Sequence, residues 1–207
     1  MSKPGQNHFS GFFLSLIAAA MWGMLPVALK ELLSGMDAST IVWFRFLVAG
    51  VVLLSWLSFR QEIPKLKAVS ARTRFFLLVA AAGLCSNYYL FSNSLNYVNG
   101  ETSEAVIQLT TLLLIFGGVI FYKESFVGIQ KMGTLLIVIG LLLFFNDRLT
   151  EFTSLENSQT IGVLIVVAAA ITWTAYALLQ KQLLQSYTSP QILLLIYLFS
   201  VVLLLPF

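Results

Sequence analysis

Two apolar stretches of this chain, Gly11–Leu33 and Gly162–Leu184, repeat one another 151 residues apart. Seven positions are identical at that offset: Gly11 with Gly162, Ala18 with Ala169, Ala19 with Ala170, Trp22 with Trp173, Lys30 with Lys181, Leu32 with Leu183 and Leu33 with Leu184. Each stretch is long enough to cross a bilayer as a helix, which takes about 20 residues. Four further stretches of similar length lie between them, so the repeat unit contains five helices. Because five is odd, the second copy must enter the membrane from the opposite side.

Inverted repeats of this kind are the usual plan of secondary transporters, whose substrate site lies near the bilayer midplane between the two halves. The repeat predicts an all-α integral membrane fold, a polytopic helix bundle with inverted five-helix repeats. We expect residues 1–146 to form the first repeat, 147–160 an external linker and 161–207 the start of a second, truncated repeat. Seven of ten expected helices would then lie in this chain, with three more after Phe207. A genuine seven-helix protein is the alternative.

Composition agrees with a membrane protein. Apolar residues make up 58% of the chain and charged residues only 10%, and such a chain cannot present a water-soluble surface. Backbone groups in lipid must bond within their own segment, and no alternating polar pattern is present, so we expect helices rather than barrel strands. The apolar runs predict seven spans, at about Phe9–Leu29, Ala38–Phe59, Phe75–Ser94, Ala105–Tyr122, Val127–Phe145, Ile161–Leu179 and Ile192–Phe207.

Lysine and arginine concentrate in one set of connections between the spans. The N-terminus with Lys3 and the loop Arg60–Arg74 are basic, whereas the opposite connections contain only Lys30 and Arg148 among basic residues. Cytoplasmic connections are enriched in Lys and Arg, so we predict a multi-pass protein of the cell membrane, a bacterial inner membrane, with its N-terminus in the cytoplasm. The same asymmetry accounts for the isoelectric point near 9.1, and we therefore expect no nucleic-acid partner.

The first span also has features of a cleaved signal peptide, since Lys3 precedes an apolar run and Ala18-Ala19-Ala20. The apolar run continues through Met21–Leu29, however, which makes it longer than a signal core. Its repeat counterpart, the sixth span, cannot be a leader. We therefore expect a retained helix.

Short motifs follow one another along the spans. They are Ala20-Met21-Trp22-Gly23 in the first span, Arg45 with Ala49 in the second, Leu95 with Tyr97 closing the third, and Glu124-x5-Gln130-x2-Gly133-x6-Gly140 between the fourth and fifth. With these motifs the chain resembles the drug/metabolite transporter superfamily, EamA type, over essentially its whole length. The resemblance implies the two-repeat fold and the transport of amino acids, other metabolites or drug-like compounds, often outward.

One position departs from the family pattern. Members usually carry a proline thirteen residues before the glutamate of the last motif, and here that position is Thr111. A proline there would kink the helix. Thr111 can bond an upstream carbonyl and bend the helix mildly instead. Glu124 and Gln130 are expected to pair with Lys123, Lys131 or helix ends at the cytoplasmic turn.

Polar residues inside the predicted spans are functional candidates, because lipid makes them costly. Arg45 lies about seven residues into the second span, roughly 10 Å deep at 1.5 Å per residue. Glu104, Gln108 and Thr111 have the i, i+4, i+7 spacing that places them on one helix face. We predict that Arg45 and this face line one water-accessible, substrate-binding cavity. The alternative is that Arg45 extends to lipid headgroups and Glu104 caps the fourth helix.

Trp22 and Trp173 occupy equivalent positions of the repeat, so an inverted arrangement places both near the middle of the membrane. We predict that they flank the cavity and contact an apolar part of the substrate, although helix packing or lipid contact would also explain them. Pro26 removes the hydrogen bond to the Trp22 carbonyl, which predicts a hinge in the first helix. The substrate-binding prediction also includes Asn87, Tyr88 and Tyr176.

These features favour a secondary-active transporter of a small organic solute, an exporter working by alternating access. The chain has no Gly-x4-Gly-Lys phosphate loop, so energy would come from an ion or solute gradient. It has no His-Glu-x-x-His or Gly-x-Ser-x-Gly motif, and its one histidine, His8, precedes the first span. We therefore expect no enzymatic activity, no metal site and no cofactor.

A non-transporting membrane receptor or assembly protein on the same fold is the alternative function. Solute flux in vesicles would separate the two. The expected partners are a small-molecule solute and the lipid bilayer, and a homodimer is left open.

Overall fold

The computed structural model describes residues 8–65, 70–146 and 157–205, and the regular secondary structure of these segments is helical. The helices are α1 (His8–Leu32), α2 (Ala38–Phe59), α3 (Ala71–Ser94), α4 (Gly100–Ile107), α5 (Leu109–Tyr122), α6 (Gly128–Phe145), α7 (Ser158–Leu183) and α8 (Ser189–Leu203). Six helical segments are long and apolar enough to cross a membrane, with α4 and α5 together forming one, and α8 is a shorter apolar helix. The protein is therefore a polytopic helical membrane protein.

Most predicted spans agree with the helices, and most differences fall at polar ends. The exception is α8, which ends at Leu203, within the apolar stretch predicted as the seventh span. Helix α2 begins at Ala38 and ends at Phe59, as predicted. Helix α3 begins at Ala71 rather than Phe75, because the Ser70 hydroxyl accepts a hydrogen bond from the Thr73 N–H and caps a polar first turn. Such a turn carries no hydropathy signal, so apolar runs underestimate the length of a capped helix.

The fourth predicted span is confirmed as one membrane-length segment, Gly100–Tyr122, but its helix is interrupted. The helix is broken at Gln108, three residues before Thr111, into α4 and α5. The Gln108 N–H bonds to the Ala105 carbonyl at 3.3 Å, which is a bond three residues back rather than four. The Thr110 hydroxyl, not that of Thr111, donates to an upstream carbonyl, that of Ile107, at 2.8 Å. These local bonds replace the regular helical ones at the break.

Close packing of α3 against α7 forms the centre of the structure. A Cβ atom on Gly83 of α3 would lie 2.9 Å from the Thr172 carbonyl oxygen of α7, so the two backbones are nearly in contact. The Asn87 side-chain amide donates to the Ala169 carbonyl oxygen at 2.9 Å across the same interface. The small residues at Ala80–Gly83 and Ala168–Ala170 allow this close approach of the two helices.

Other helical glycines differ in how closely a neighbouring helix approaches them. A Cβ on Gly117 would come within 2.6 Å of the Leu178 side chain, so α5 also packs closely on α7. Gly133 and Gly140 of α6 have nothing within 4 Å in the described part of the chain.

Several predictions concern residues outside the described segments. These are the N-terminal Lys3, residues 147–156 of the expected external linker and residues 66–69 of the basic loop. The direction in which the bundle crosses the membrane therefore stays a prediction.

Candidate functional site

A cavity of about 420 Å³ lies between α1, α2, α3, α4, α5 and α7. This volume is within the range of roughly 300–1,000 Å³ that is usual for small-molecule sites. The cavity is lined by Met21, Trp22, Leu25, Arg45, Asn87, Tyr88, Phe91, Glu104, Ile107, Gln108, Thr110, Thr111, Leu114 and Trp173.

Eight of the nine residues predicted to bind substrate line this one cavity. The ninth, Tyr176, does not: only 6% of it is exposed, and it belongs to a core cluster with residues of α3 and α8. Three residues along a helix correspond to a turn of about 300°, so Tyr176 lies about 60° round the helix from Trp173. That rotation is enough to place it against α3 rather than in the cavity.

Arg45 lies inside the cavity over an aromatic ring. Its guanidinium carbon is 4.5 Å from the centre of the Tyr88 ring, an attractive cation–π geometry. The Tyr88 ring contacts Phe46 at a centroid distance of 5.0 Å, and Phe46 in turn stacks on Tyr197 at 5.3 Å. The aromatic cluster therefore holds Arg45 towards the cavity.

The positive charge of Arg45 has no acidic partner among the described residues. The ion pairs in these segments are Arg60 with Glu62 and Lys181 with Glu124. Glu104 lines the same cavity, but it forms no ion pair with Arg45. A half-buried arginine without a carboxylate favours binding of an anionic group that enters the cavity from outside.

Glu104 is not the cap of its helix. The N-cap of α4 is Asn99, whose side-chain oxygen accepts a hydrogen bond from the Thr102 N–H at 2.8 Å. Glu104 lies five residues after this N-cap and is half-buried, and its backbone carbonyl accepts a bond from the Gln108 side chain at 3.4 Å. The capping explanation of Glu104 is therefore wrong, and its carboxylate is a polar group of the cavity wall.

The break between α4 and α5 lies in the same wall. Gln108, at the break, lines the cavity, as do Thr110 and Thr111 in the first turn of α5. Interrupted helices often form the binding sites of membrane carriers, because their ends leave backbone groups unpaired. Sequence reasoning missed this break, and the available signal was the side chains of Gln108 and Thr110, which can bond to nearby carbonyls.

The helix α1 remains continuous at Pro26. Pro26 is buried and lies against the start of α4, since a Cβ on Gly100 would be 3.0 Å from it. Its role as a hinge stays a prediction. Trp22, one turn earlier, is 68% exposed and forms one side of the cavity.

Asn87, predicted to bind substrate, has only part of its polar side chain free to face the cavity. It is 7% exposed and its amide nitrogen is already bonded to the Ala169 carbonyl. Its side-chain oxygen is the part that can face the cavity. Asn87 therefore joins α3 to α7 as well as lining the site.

Glu124 has a different partner from the predicted ones, whereas Gln130 bonds to a helix end, as predicted. Glu124 forms an ion pair with Lys181 of α7 rather than with Lys123 or Lys131. The Gln130 side-chain oxygen accepts a bond from the Val127 N–H at 3.1 Å and so caps α6. The pairing with Lys181 joins positions 57 residues apart, a distance over which local sequence reasoning has no signal.

A second cavity, of about 350 Å³, lies beside the α1–α2 turn and the end of α3. Asp37 lines it, but its carboxylate is engaged as the N-cap of α2. The carboxylate accepts bonds from the Thr40 N–H at 3.1 Å and from the hydroxyls of Thr40 and Ser39. The hydroxyls of Ser39 and Thr40 lower the pKa of Asp37 below its usual range. This carboxylate therefore stabilises the start of α2. The second cavity was not predicted from the sequence.

The fold and the cavity define a polytopic helical membrane protein whose central cavity has a few polar groups in a largely apolar lining. Residues 9–146 match the EamA-like transporter family, and the chain belongs to this family. It is 42% identical to an uncharacterized transporter of Haemophilus influenzae over 93% of this chain and 62% of that protein. It is 38% identical to the uncharacterized inner membrane transporter YhbE of Escherichia coli K12, over 95% of this chain and 61% of that protein.

A more distant relative is the riboflavin transporter ImpX of Fusobacterium nucleatum, 28% identical over 94% of this chain and 66% of that protein. The chain thus spans about three-fifths of the length of the two more similar relatives. No solved structure matches it.

Proposed function

We propose that the protein is a secondary-active transporter of a small organic solute, an exporter of the bacterial inner membrane that works by alternating access. One observation carries the proposal: Trp22 and Trp173, which occupy equivalent positions of the two repeat copies, line the same cavity. A site shared by both copies of an inverted repeat is where rocking of one half against the other changes access. The family and the names of the relatives support the same function.

The lining of the cavity indicates the chemistry of the solute. The unpaired guanidinium of Arg45 suits a carboxylate or another planar anion, which two parallel N–H bonds can hold. The indole rings of Trp22 and Trp173 suit an apolar or ring-shaped body. We infer a solute that combines both parts. The riboflavin named for ImpX is a ring-containing solute of a related protein, which supports the second part.

A comparison of culture media tests the transport function. Cells that overproduce the protein should release an organic solute that cells without the gene retain. That solute should then cross the membrane of vesicles that contain the purified protein faster than the membrane of empty vesicles. Membrane insertion without flux above that of empty vesicles, for every solute found in the media, would favour a receptor or assembly protein instead.

The orientation is a separate prediction, based on the Lys/Arg asymmetry. In a Cys85→Ser background, an impermeant thiol reagent added to intact cells should label a Ser154→Cys variant and leave a Lys67→Cys variant unlabelled. Ser154 belongs to the expected external linker, and Lys67 to the basic loop. Permeabilised cells, in which both cysteines should react, provide the control. Labelling of Lys67→Cys alone in intact cells would show that the orientation is the opposite of the predicted one.

A further inference from the structure

The C-terminal ends of α5 and α7 are tied together by three side-chain contacts. Glu124, two residues after α5, forms an ion pair with Lys181 in the last turn of α7. The Lys181 ammonium also lies 4.4 Å from the centre of the Tyr122 ring. The Tyr122 hydroxyl donates to the Leu178 carbonyl oxygen at 2.5 Å. Since α5 belongs to the first copy of the repeat and α7 begins the second, these contacts join the two copies.

A sharp reversal of the chain brings Glu124 to α7. Lys123 has left-handed backbone angles, φ 53° and ψ 35°, a conformation that a residue other than glycine seldom adopts. The Glu124 N–H then donates back to the Gly118 carbonyl at 3.3 Å. The carboxylate lies directly against Gly118, where a Cβ would collide with it. The glycine therefore leaves the space in which the carboxylate turns towards α7.

An apolar contact between α5 and α7, next to the ion pair, is also very close. A Cβ on Gly117 would lie 2.6 Å from a methyl carbon of Leu178, so no space for a solute remains between α5 and α7 at this level. The cavity residue of α5 nearest to this end is Leu114, eight positions before Tyr122. The ends of the two helices therefore close one side of the bundle beyond the cavity.

The ion pair between Glu124 and Lys181 is weak enough to separate during a conformational change. The side chains of Lys181 and Glu124 are 51% and 52% exposed. Water and salt screen such a pair, so it contributes little to folding and changes an equilibrium between two conformations by about two- to fivefold. A contact of that strength can bias access to the cavity without locking it.

The opposite end of α5 is the break at Gln108, in the cavity wall. Helix α5 contains 14 residues, which at 1.5 Å per residue separates the break from Tyr122 by about 20 Å. A small rotation of α5 at Gln108 would therefore move Tyr122 and Glu124 away from α7. The same motion would shift Thr110 and Thr111, which line the cavity.

We propose that Glu124 and Lys181, together with Tyr122, form a gate that closes the predicted cytoplasmic side of the cavity. The gate opens when α5 rotates at Gln108 and the ion pair separates. This inference rests on the proposed function, because a gate has a role only where access alternates.

Labelling of a cysteine in the cavity tests the gate without any solute. The reporter is Thr111→Cys in the full chain with Cys85→Ser, and the probe is an impermeant maleimide applied to right-side-out and to inside-out membrane vesicles. Glu124→Gln and Lys181→Met should each raise the inside-out rate relative to the right-side-out rate by about two- to fivefold, the effect of one exposed ion pair. The double charge exchange, Glu124→Lys with Lys181→Glu, should restore the ratio of the parent reporter.

Glu62→Gln is the matched control. It breaks the ion pair with Arg60, whose side chains are exposed to a similar extent, 52% and 45%, but which joins residues two apart. The labelling ratio of this variant should equal that of the parent. Ratios for Glu124→Gln and Lys181→Met that also equal the parent's, a shift towards the right-side-out vesicles, or a double exchange that fails to restore the ratio would each overturn the gate.

The two proposals fail in different ways. A protein that transports solute while its labelling ratio is unaffected by Glu124→Gln and Lys181→Met contradicts the gate alone. A protein with the expected ratios that moves no solute contradicts the transport function and leaves the conformational change in place.

Discussion

Replacement of Arg45 by alanine should lower transport at limiting solute concentration by about tenfold or more while the protein still reaches the membrane. A hydrogen bond to a charged group contributes about 1.5–3 kcal/mol, which corresponds to about 10- to 150-fold in affinity. Arg45→Lys should also be impaired, since an ammonium reproduces neither the planar pair of N–H donors nor the stacking on Tyr88. Initial rates of uptake into inside-out vesicles, corrected for protein abundance, measure both effects.

Arg72→Ala is the matched control for this substitution. The Arg72 guanidinium also lies over an aromatic ring, with its carbon 5.1 Å from the centre of Phe76, but Arg72 is exposed and does not line the cavity. It should transport normally. Normal rates and normal abundance for Arg45→Ala would mean that Arg45 only packs on Tyr88, and the anionic half of the proposed solute would then be wrong.

The site could be predicted largely from sequence because its residues obey two simple periodicities. The helical spacing of Glu104, Gln108 and Thr111 placed them on one face, and the repeat placed Trp22 and Trp173 at equivalent depths. All five line the cavity. Polar groups within apolar runs are easily recognised, because lipid allows few of them.

Contacts between distant helices could not be predicted in the same way. The bond from Asn87 to the Ala169 carbonyl and the ion pair of Glu124 with Lys181 depend on the positions of helices that no local pattern determines. The rotation that buries Tyr176 away from the cavity has the same origin. Sequence periodicity defines the faces of one helix, but tertiary packing decides which neighbour each face meets.

The helix break at Gln108 was not predicted for a different reason. Apolar composition continues across it from Ala105 to Tyr122. Hydropathy gives the length of an apolar segment but contains no information about its hydrogen bonds. Only the polar side chains at 108, 110 and 111 mark the place. Polar clusters inside a span therefore predict interruptions as well as binding residues.

Gly83→Val should destabilise the protein strongly, because the valine Cβ would lie 2.9 Å from the Thr172 carbonyl oxygen of α7. Backbone atoms cannot rotate away as a flexible side chain can, so α3 and α7 must separate. Overpacking of this kind costs about 1–3 kcal/mol. The separation would also stretch the bond from Asn87 to the Ala169 carbonyl, 2.9 Å long in the structure. The midpoint of thermal unfolding in detergent should fall by several degrees.

Gly133→Val separates this packing effect from the general effect of placing valine in a helix. Gly133 lies within α6, and a Cβ there would meet nothing within 4 Å among the described residues. Both substitutions exchange a helical glycine for the same β-branched residue, so their intrinsic helix propensities change equally. The two unfolding midpoints, measured by size-exclusion chromatography after heating, should therefore differ by the cost of separating α3 from α7. Equal midpoints would mean that α3 and α7 tolerate a side chain between them, contrary to the close backbone contact at Gly83.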